Sequence, residues 1–322
     1  MIDKPELSNC SKIAAGIYNP VVFKRLTKSW MLDELFQEIL NFYCSYEKKW
    51  NCKLVKERHI VKLFSEQQEI DLWRKKASGE LNAFIDKTIY TRSSYQNINI
   101  NELGYSKVIR SGNLDVAGFL DHARNYLKNK EGYLEEKFDH DALKISETIS
   151  YKNINATNII FCEGHLIKDN PYFKYIPFKP AKGEILEIES SEIGIENDII
   201  NKNAFVMNVA GNNFKTGATY NWEDLTDTPT ENGKKEIETK LKKITKANYK
   251  VLSHKAGVRP SVIDRRPVIG THPKHKNVLL FNGLGTKGVM LAPYFASHFI
   301  GYLKGENDLN KEVDLMRFNQ ME

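Results

Sequence analysis

The chain has 322 residues, of which 41% are hydrophobic, enough for one large domain or two ordinary ones with a real core. Mean hydropathy is −0.49, and no apolar run approaches the ~18 residues of a membrane-spanning helix, so the sequence predicts no membrane span. No apolar signal segment follows Met1, and we therefore expect a cytoplasmic protein.

The net charge and the cysteine pattern exclude fewer partners and sites than the hydropathy does. The net charge of +6 permits an anionic partner without requiring one, so nucleic acid is neither indicated nor excluded. Two histidines, His272 and His275, lack a nearby set of further ligands, and we predict no metal site. The oligomeric state stays open. The cysteines form no CxxC pair, which argues against a zinc knuckle or a disulfide framework: Cys10, Cys44, Cys52 and Cys162.

In the first half of the chain, apolar spacing predicts three helices and one strand. Residues 32–46 carry apolar side chains at helical spacing, with Ser29 as the expected N-cap. Residues 54–64 are rich in apolar and β-branched types and predict a strand, whereas residues 66–76 and 114–127 predict helices.

The second half predicts more strands. Residues 158–164 read as a buried parallel strand stopped by glycine, and residues 183–220 as several short antiparallel strands. A helix carries Ile237, Leu241 and Ile244. Strands follow at 249–258 and 277–281, and a helix at 289–303. We therefore predict an α/β protein with two discontinuous domains, one doubly wound and one a sheet cap.

The motif Gly283-Leu284-Gly285-Thr286-Lys287-Gly288 has the form GxGxxG and lies between a predicted strand and a predicted helix. A dinucleotide fingerprint also needs a second strand with an acid ~20 residues further on, and the chain offers none there. A plain tight turn is one alternative. We favour a helix start that faces an electron-rich group of a cofactor, because the free N–H groups at a helix start attract negative charge.

Two further segments have candidate roles. Arg259 ends an apolar strand beside Pro260, where it is either a surface residue or a fork for a carboxylate. Residues 9–20 are rich in small side chains, which suits either an ordinary loop or close approach to a flat ligand. Tyr18, Phe205 and Tyr220 are candidates for a substrate pocket, although packing explains each of them as well.

Six segments, in order, resemble the FAD-dependent oxidases of the D-amino-acid oxidase family, which includes glycine oxidase and monomeric sarcosine oxidase. They are SKIAAGIYNP, NIIFCEG, KPAKGEILEI, AGVRP, DRRPVIG and NGLGTKGVMLAP. The resemblance implies a Rossmann-like FAD-binding domain formed by residues 1–50, 114–173 and 250–322. It also implies an antiparallel-sheet substrate domain formed by residues 51–113 and 174–249.

The resemblance also assigns roles to residues. Asp3 matches the acid that binds the adenosine ribose, and Arg259 the arginine that grips the substrate carboxylate. Lys215 resembles the lysine that sarcosine oxidase holds near the flavin for reaction with oxygen. The remaining cofactor-binding candidates are Ser11, Lys12, Ala14, Ala15 and Gly16 in the flavin loop, Gly164 after its strand, and Gly283, Gly285, Thr286, Lys287 and Gly288 at the closing helix.

The implied activity is oxidation of the C–N bond of a small-molecule amine or amino acid by hydride transfer to flavin N5. Some relatives attach the flavin to a cysteine near positions 262–264. This chain has none there, so we expect non-covalent FAD.

The chain departs from the family pattern at its start. The family opens with a strand and a GxGxxG turn before the acid, and we expect that a βα unit of ~30 residues belongs upstream of Asp3. A truncated flavoprotein remnant without catalysis is therefore one alternative that stays open. The other is an oxidase that acts on carboxymethylaminomethyl-uridine in tRNA, since it shares the family signature and the net charge of +6 is compatible with it.

Overall fold

The computed structural model describes residues 1–5, 10–92 and 94–318. The helices are α1 (Cys10–Ile13), α2 (Leu32–Trp50), α3 (Gln67–Ala77), α4 (Val116–Lys128), α5 (Glu231–Lys242) and α6 (Gly288–Leu303). Short 3-10 helices lie at His140–Ala142, Gly164–Asp169 and Leu315–Phe318. Within these described residues, no helix is both long enough and apolar enough to cross a membrane.

The strands are short except for two in the second half. They are β1 (Ile2–Asp3), β2 (Ile17–Tyr18), β3 (Val21–Val22), β4 (Thr27–Lys28), β5 (Val55–Glu57), β6 (Ile60–Leu63), β7 (Tyr105–Val108), β8 (Gly112–Leu114), β9 (Leu134–Glu135), β10 (Leu143–Ile145), β11 (Ile149–Tyr151), β12 (Ile154–Ala156), β13 (Ile159–Phe161), β14 (Ala181–Glu189), β15 (Ile199–Asn201), β16 (Phe205–Ala210), β17 (Asn213–Gly217), β18 (Lys250–Arg259), β19 (Val268–Thr271) and β20 (Val278–Asn282).

Seven strands form the largest sheet, in the order β18-β14-β17-β16-β15-β6-β7. Its pairs are antiparallel except β15 with β6, which run parallel. One face packs on α5, where Leu186, Ile188 and Phe214 share a buried cluster with Ile237 and Leu241. Successive side chains alternate between the faces of a strand, so residues 183, 185 and 187 of β14 lie on the opposite face.

Strands from the start of the chain and from its last quarter belong to smaller sheets. β13, β20 and β19 form one of them, with β13 parallel to β20 and β19 antiparallel to β20. β1 pairs in parallel with β9, and β2, β8 and β5 pair antiparallel. Helix α6 contacts α2, and Leu291, Phe295 and Phe299 of α6 share a buried cluster with Leu35 of α2.

Three sequence expectations need correction. Ser29 is not the N-cap of α2: Met31 takes that position, and the Ser29 hydroxyl donates instead to the Asn19 carbonyl at 3.1 Å. Residues 54–64 form two strands, because β5 pairs with β8 whereas β6 pairs with β7 and β15. The expected strand at 158–164 is reduced to β13, and it is not fully buried, because Ile160 is 43% exposed.

Candidate functional site

Arg259 lies across the sheet face opposite α5. It ends β18, in register with Ala181 of β14, and its guanidinium covers Gly183, where an added Cβ would lie 2.0 Å from Nη2. The group donates from Nη1 to the Lys182 carbonyl at 3.2 Å and from both Nη atoms to the Thr219 carbonyl at 3.4 Å. The bare backbone of Gly183 thus lets the guanidinium lie against the strand.

The Arg259 guanidinium has no ion-pair partner within the described part of the chain: its acceptors are neutral carbonyls, and the Tyr220 ring lies 5.0 Å away. Burial lowers its pKa, and the nearby Tyr220 and Cys10 side chains act in the opposite direction. A guanidinium stays protonated in proteins. A half-buried, unpaired guanidinium of this kind can pair with an anion, and its planar fork suits a carboxylate.

The flavin-loop candidates begin at α1, which lies against β18. An added Cβ at Gly257 would lie 2.8 Å from the Cys10 Cα, so α1 packs closely on β18. Burial raises the pKa of the Cys10 thiol, and the nearby Arg259 guanidinium acts in the opposite direction. Gly16 ends the segment with a φ of 70°, and its carbonyl accepts the Leu114 N–H at 3.0 Å.

The other loop candidates lie between these two anchors. Ser11 and Lys12 belong to α1 and are half-buried, Ala14 is exposed and Ala15 half-buried. The structure therefore brings this small-residue loop to the end of β18 that carries Arg259. Residue 9, the first of the small-residue stretch, lies outside the described residues.

The GxGxxG segment forms a turn and opens α6. Gly283 and Gly285 have φ values of 78° and 55°, a region that favours glycine. Thr286 is exposed, and Gly288 is the first residue of α6, with Lys287 as N-cap and no side-chain cap bond. No side chain caps the N–H groups of this first turn, so they can donate to an electron-rich group of a ligand.

The Lys287 ammonium turns back into the protein and donates to the Ser29 hydroxyl. Burial lowers the pKa of Lys287 to about 8. No ion pair of this ammonium is found among the described residues. Like Arg259, Lys287 is thus a half-buried cation without a carboxylate partner among the described residues.

Gly164 follows β13 and lies beside the GxGxxG turn, because the Asn282 amide donates to the Gly164 carbonyl at 3.0 Å. Its φ is 59°, and no described atom lies within 4 Å of an added Cβ. Gly164 therefore borders open space next to the glycine turn.

Lys215 lies on β17 between Glu187 of β14 and Met207 of β16. It shares the sheet face of Arg259, since residues 181 and 187 of β14 have the same parity. Its Nζ lies 4.0 Å from a Glu187 carboxylate oxygen. Burial lowers the pKa of Lys215, and Glu187 acts in the opposite direction.

Asp3 lies at the end of β1. Its Oδ2 accepts from Arg124 Nε at 2.9 Å and from the Tyr133 hydroxyl at 3.2 Å. Within the described residues Oδ1 has no hydrogen-bond partner. The carboxylate is thus fixed through one oxygen, and the other can accept from a ligand hydroxyl.

A cavity of about 560 Å³ lies at the end of the sheet where β17 finishes, close to Thr219. It is lined by Phe23, Lys24, Lys62, Glu69, Asn201, Asn203, Ala204, Phe205, Gly217 and Ala218. Its volume is in the range of small-molecule pockets. Phe205, a pocket candidate from the sequence, lies in its wall.

Sequence reasoning missed the buried charge behind Arg259. Lys182 is fully buried, and its ammonium binds Asp224, the Thr226 hydroxyl and the Thr228 carbonyl. The available signal was a lysine that alternates with Glu184 on a strand of mixed apolar and charged residues. Since the Lys182 carbonyl accepts from Arg259, this cluster supports the strand on which the guanidinium lies.

Comparison with known proteins identifies the family. The chain matches the family described as DAO, FAD dependent oxidoreductase, over residues 1–300. Glycine oxidase of Bacillus subtilis (strain 168) is 30% identical over 165 residues, which are 49% of this chain and 43% of that protein. Glycine oxidase of Bacillus licheniformis is 28% identical over 118 residues, 36% of this chain and 32% of that protein. The matched segments thus span less than half of these relatives.

Solved structures share the fold. Glycine oxidase from Geobacillus kaustophilus superposes with a TM-score of 0.78 at 15% identity, covering 98% of this chain and 90% of that one. Iminodiacetate oxidase from Chelativorans sp. BNC1 gives 0.76 at 16%, covering 98% and 91%. The mixed α/β fold and the resemblance expected from sequence are confirmed, and the chain belongs to the DAO family of FAD dependent oxidoreductases.

Proposed function

We propose that this protein oxidises the C–N bond of a small amine that carries a carboxylate, with non-covalent FAD. The observation that carries the proposal is Arg259, a half-buried guanidinium with only neutral acceptors, laid over Gly183 and beside the small-residue loop. Both relatives named glycine oxidase and the solved iminodiacetate oxidase support an amino-acid substrate.

The residues present fit FAD. Asp3 keeps Oδ1 for a ribose hydroxyl, Gly164 borders open space, and the uncapped start of α6 suits the electron-rich edge of a flavin ring. The loop from Ser11 to Gly16 would approach the cofactor with small side chains. We propose the domain ranges expected from the sequence, with residues 1–50, 114–173 and 250–322 binding FAD.

Strand β18 lies within the last of those ranges but pairs along its length with β14 of the seven-stranded sheet. Residues 250–259 thus belong to the seven-stranded sheet, and Arg259 lies where that sheet meets the proposed FAD-binding residues. We propose that the Rossmann-like part binds the cofactor and that the sheet binds the substrate.

When bound, FAD supplies the acceptor for a hydride from the substrate carbon next to nitrogen. Arg259 binds the substrate carboxylate and fixes the orientation of that carbon. Lys215, held beside Glu187 on the same sheet face, is proposed to keep a positive charge near the reacting groups. A substrate whose amine is neutral gives an iminium ion when the hydride leaves the adjacent carbon, and water hydrolyses this ion, so no acid–base pair is required of the protein once the amine is neutral.

The test is a substrate screen on the purified, FAD-loaded chain and its Arg259→Met and Arg259→Lys variants. We expect a flavin absorbance spectrum and flavin reduction by one of glycine, sarcosine, proline or a D-amino acid. Arg259→Met should lower kcat/KM at least about a hundredfold, in line with loss of a charged hydrogen-bond pair. Arg259→Lys should recover only part, because it lacks the planar fork.

Two results would contradict the proposal. Protein that stays colourless with added FAD removes the cofactor assignment. Flavin reduction by tRNA carrying carboxymethylaminomethyl-uridine, with none by free amino acids, favours the tRNA enzyme instead. Release of all FAD by acid precipitation is the expected sign of non-covalent binding.

A further inference from the structure

Two large aromatic side chains lie exposed next to Arg259. Tyr220 is 41% exposed and Trp222 is 50% exposed, and their ring centroids are 4.7 Å apart. The centre of the Arg259 guanidinium lies 5.0 Å from the Tyr220 ring. Tyr and Trp bury large areas when they pack, so a pair of exposed rings in contact with an unpaired guanidinium marks a surface for a ligand.

The segment that carries the rings is fixed to the sheet. Asn221 exchanges two backbone hydrogen bonds with Lys182, at 2.8 and 3.0 Å. Further along, the buried Lys182 ammonium binds Asp224 and the Thr228 carbonyl. The rings are therefore presented on a pre-organised segment, which lowers the entropy lost when a ligand binds.

The charge around the rings favours an anionic or electron-rich ligand. The Lys179 ammonium lies 5.9 Å from the Trp222 ring centroid, and the Arg259 guanidinium lies 5.0 Å from the Tyr220 ring centroid. The carboxylate of Asp224 is engaged by Lys182. A small molecule whose carboxylate pairs with Arg259 would therefore have its remaining atoms close to the Tyr220 and Trp222 rings.

We propose that Tyr220 and Trp222 form an aromatic subsite that binds a flat apolar side chain of the substrate whose carboxylate pairs with Arg259. This inference rests on the proposed function, and it names the substrate class: an amino acid with an aromatic side chain in preference to glycine. Two unreactive carboxylates, phenylacetate and acetate, differ by that ring and serve as probes.

The experiment measures binding of both probes to the FAD-loaded full chain by calorimetry. We expect phenylacetate to bind at least about tenfold more tightly than acetate, as stacking on one or two rings allows. Trp222→Ser should reduce that preference to about threefold or less, and Trp222→Phe should retain most of it. Because Trp222 is half exposed, neither change removes a core residue, and melting curves check the fold.

Tyr126→Leu is the matched control. Tyr126 is also an exposed aromatic residue, 37% exposed, but it lies on α4 with the Lys49 ammonium 4.1 Å from its ring. This change should leave the phenylacetate preference unaltered. With the aromatic subsite intact, kcat/KM for phenylalanine should exceed that for glycine, and Trp222→Ser should narrow the gap through KM.

The outcomes separate the two proposals. Equal affinities for phenylacetate and acetate, both abolished in Arg259→Met, would overturn the aromatic subsite and leave the proposed function standing. Binding of both probes that ignores Arg259→Met would overturn the proposed function itself. A preference lost in Phe205→Leu but kept in Trp222→Ser would place the side chain in the cavity near Thr219 and overturn the aromatic subsite.

Discussion

At the scale of single residues, Gly183 makes room for the candidate anion site. An alanine Cβ there would lie 2.0 Å from Arg259 Nη2, and the atom that must move is the end of a flexible side chain. We therefore expect Gly183→Ala to fold, with a change in unfolding free energy below about 1 kcal/mol, but to displace the guanidinium. Affinity for acetate should fall at least about tenfold, since small misplacements of a binding group are costly.

The control is Gly79→Ala, where an added Cβ finds its nearest atom at an ordinary 3.5 Å. Calorimetry on both variants gives the comparison. If Gly183→Ala binds acetate as the parent does, Arg259 does not hold the anion in the observed position.

Lys287 gives a pH-dependent prediction. Its pKa is lowered from 10.5 to about 8 by burial, so between these pH values the unfolded chain binds more protons and stability rises with pH. In the absence of FAD, the Lys287→Met variant lacks the free-energy cost of burying a charged ammonium. We expect it to be more stable than the parent at pH 7 by on the order of 2 kcal/mol, and the difference to vanish towards pH 10.5.

Urea unfolding at several pH values measures that difference. Lys304→Met at the other end of α6 is the control, because its side chain is 62% exposed, and it should show no such trend. A less stable Lys287→Met at pH 7 would mean that the ammonium is paired in the apoprotein.

At the scale of elements, the segment 219–230 depends on Lys182. Its ammonium is fully buried with Glu184 at 3.8 Å and Asp224 in contact. Lys182→Met removes one partner of a buried charge cluster, and such changes cost about 3–5 kcal/mol. We expect this loss in urea unfolding at pH 7, with exposed Lys235→Met of α5 near zero.

Acid titration adds a second readout for Lys182. Its hydrogen bond lowers the pKa of Asp224 from 3.8 to about 2, so the parent gains stability that is present above pH 4 and lost as the pH falls to 2. The Lys182→Met variant should lose less over this window. An equal acid loss in both proteins would mean that Asp224 is held by other groups.

Element type was accessible from sequence where apolar spacing was long and regular. The helices at 66–76, 114–127 and 289–303 match α3, α4 and α6 within two residues at each end. Short strands were harder, because β5 and β6 run on without a turn signal and differ only in their partners. The N-cap of α2 was missed because Met31 adopts a φ of 50°, which its side chain does not favour.

At the scale of the whole molecule, sequence order could not reveal which faces meet. Arg259, Gly183 and Thr219 are 36 to 76 positions apart. The register of β14 with β18 brings Arg259 to Gly183, and a hydrogen bond from the Thr219 N–H to the Glu184 carbonyl brings Thr219 to the same strand. The fold itself was accessible through the resemblance, which the family match confirms. Of the aromatic pair beside Arg259, Tyr220 was a pocket candidate from the sequence, whereas nothing in the sequence singled out Trp222 or its contact with Tyr220.

Binding of FAD by the whole chain should be visible in its thermal stability. A ligand at about 100 times its Kd that binds only the folded state adds about 2.7 kcal/mol of stability, so FAD should raise the melting temperature. Gly164→Ala should weaken that effect, because its Cβ enters the open space proposed for the cofactor.

Gly211→Ala is the matched control, since Gly211 has a φ of 52° against 59° for Gly164 and equally open surroundings. Both variants therefore share the backbone strain of a left-handed alanine, about 1 kcal/mol, and only Gly164→Ala should lose FAD affinity. If FAD shifts neither parent nor Gly211→Ala, this chain does not bind the cofactor, and if all three shift equally, Gly164 lies away from it.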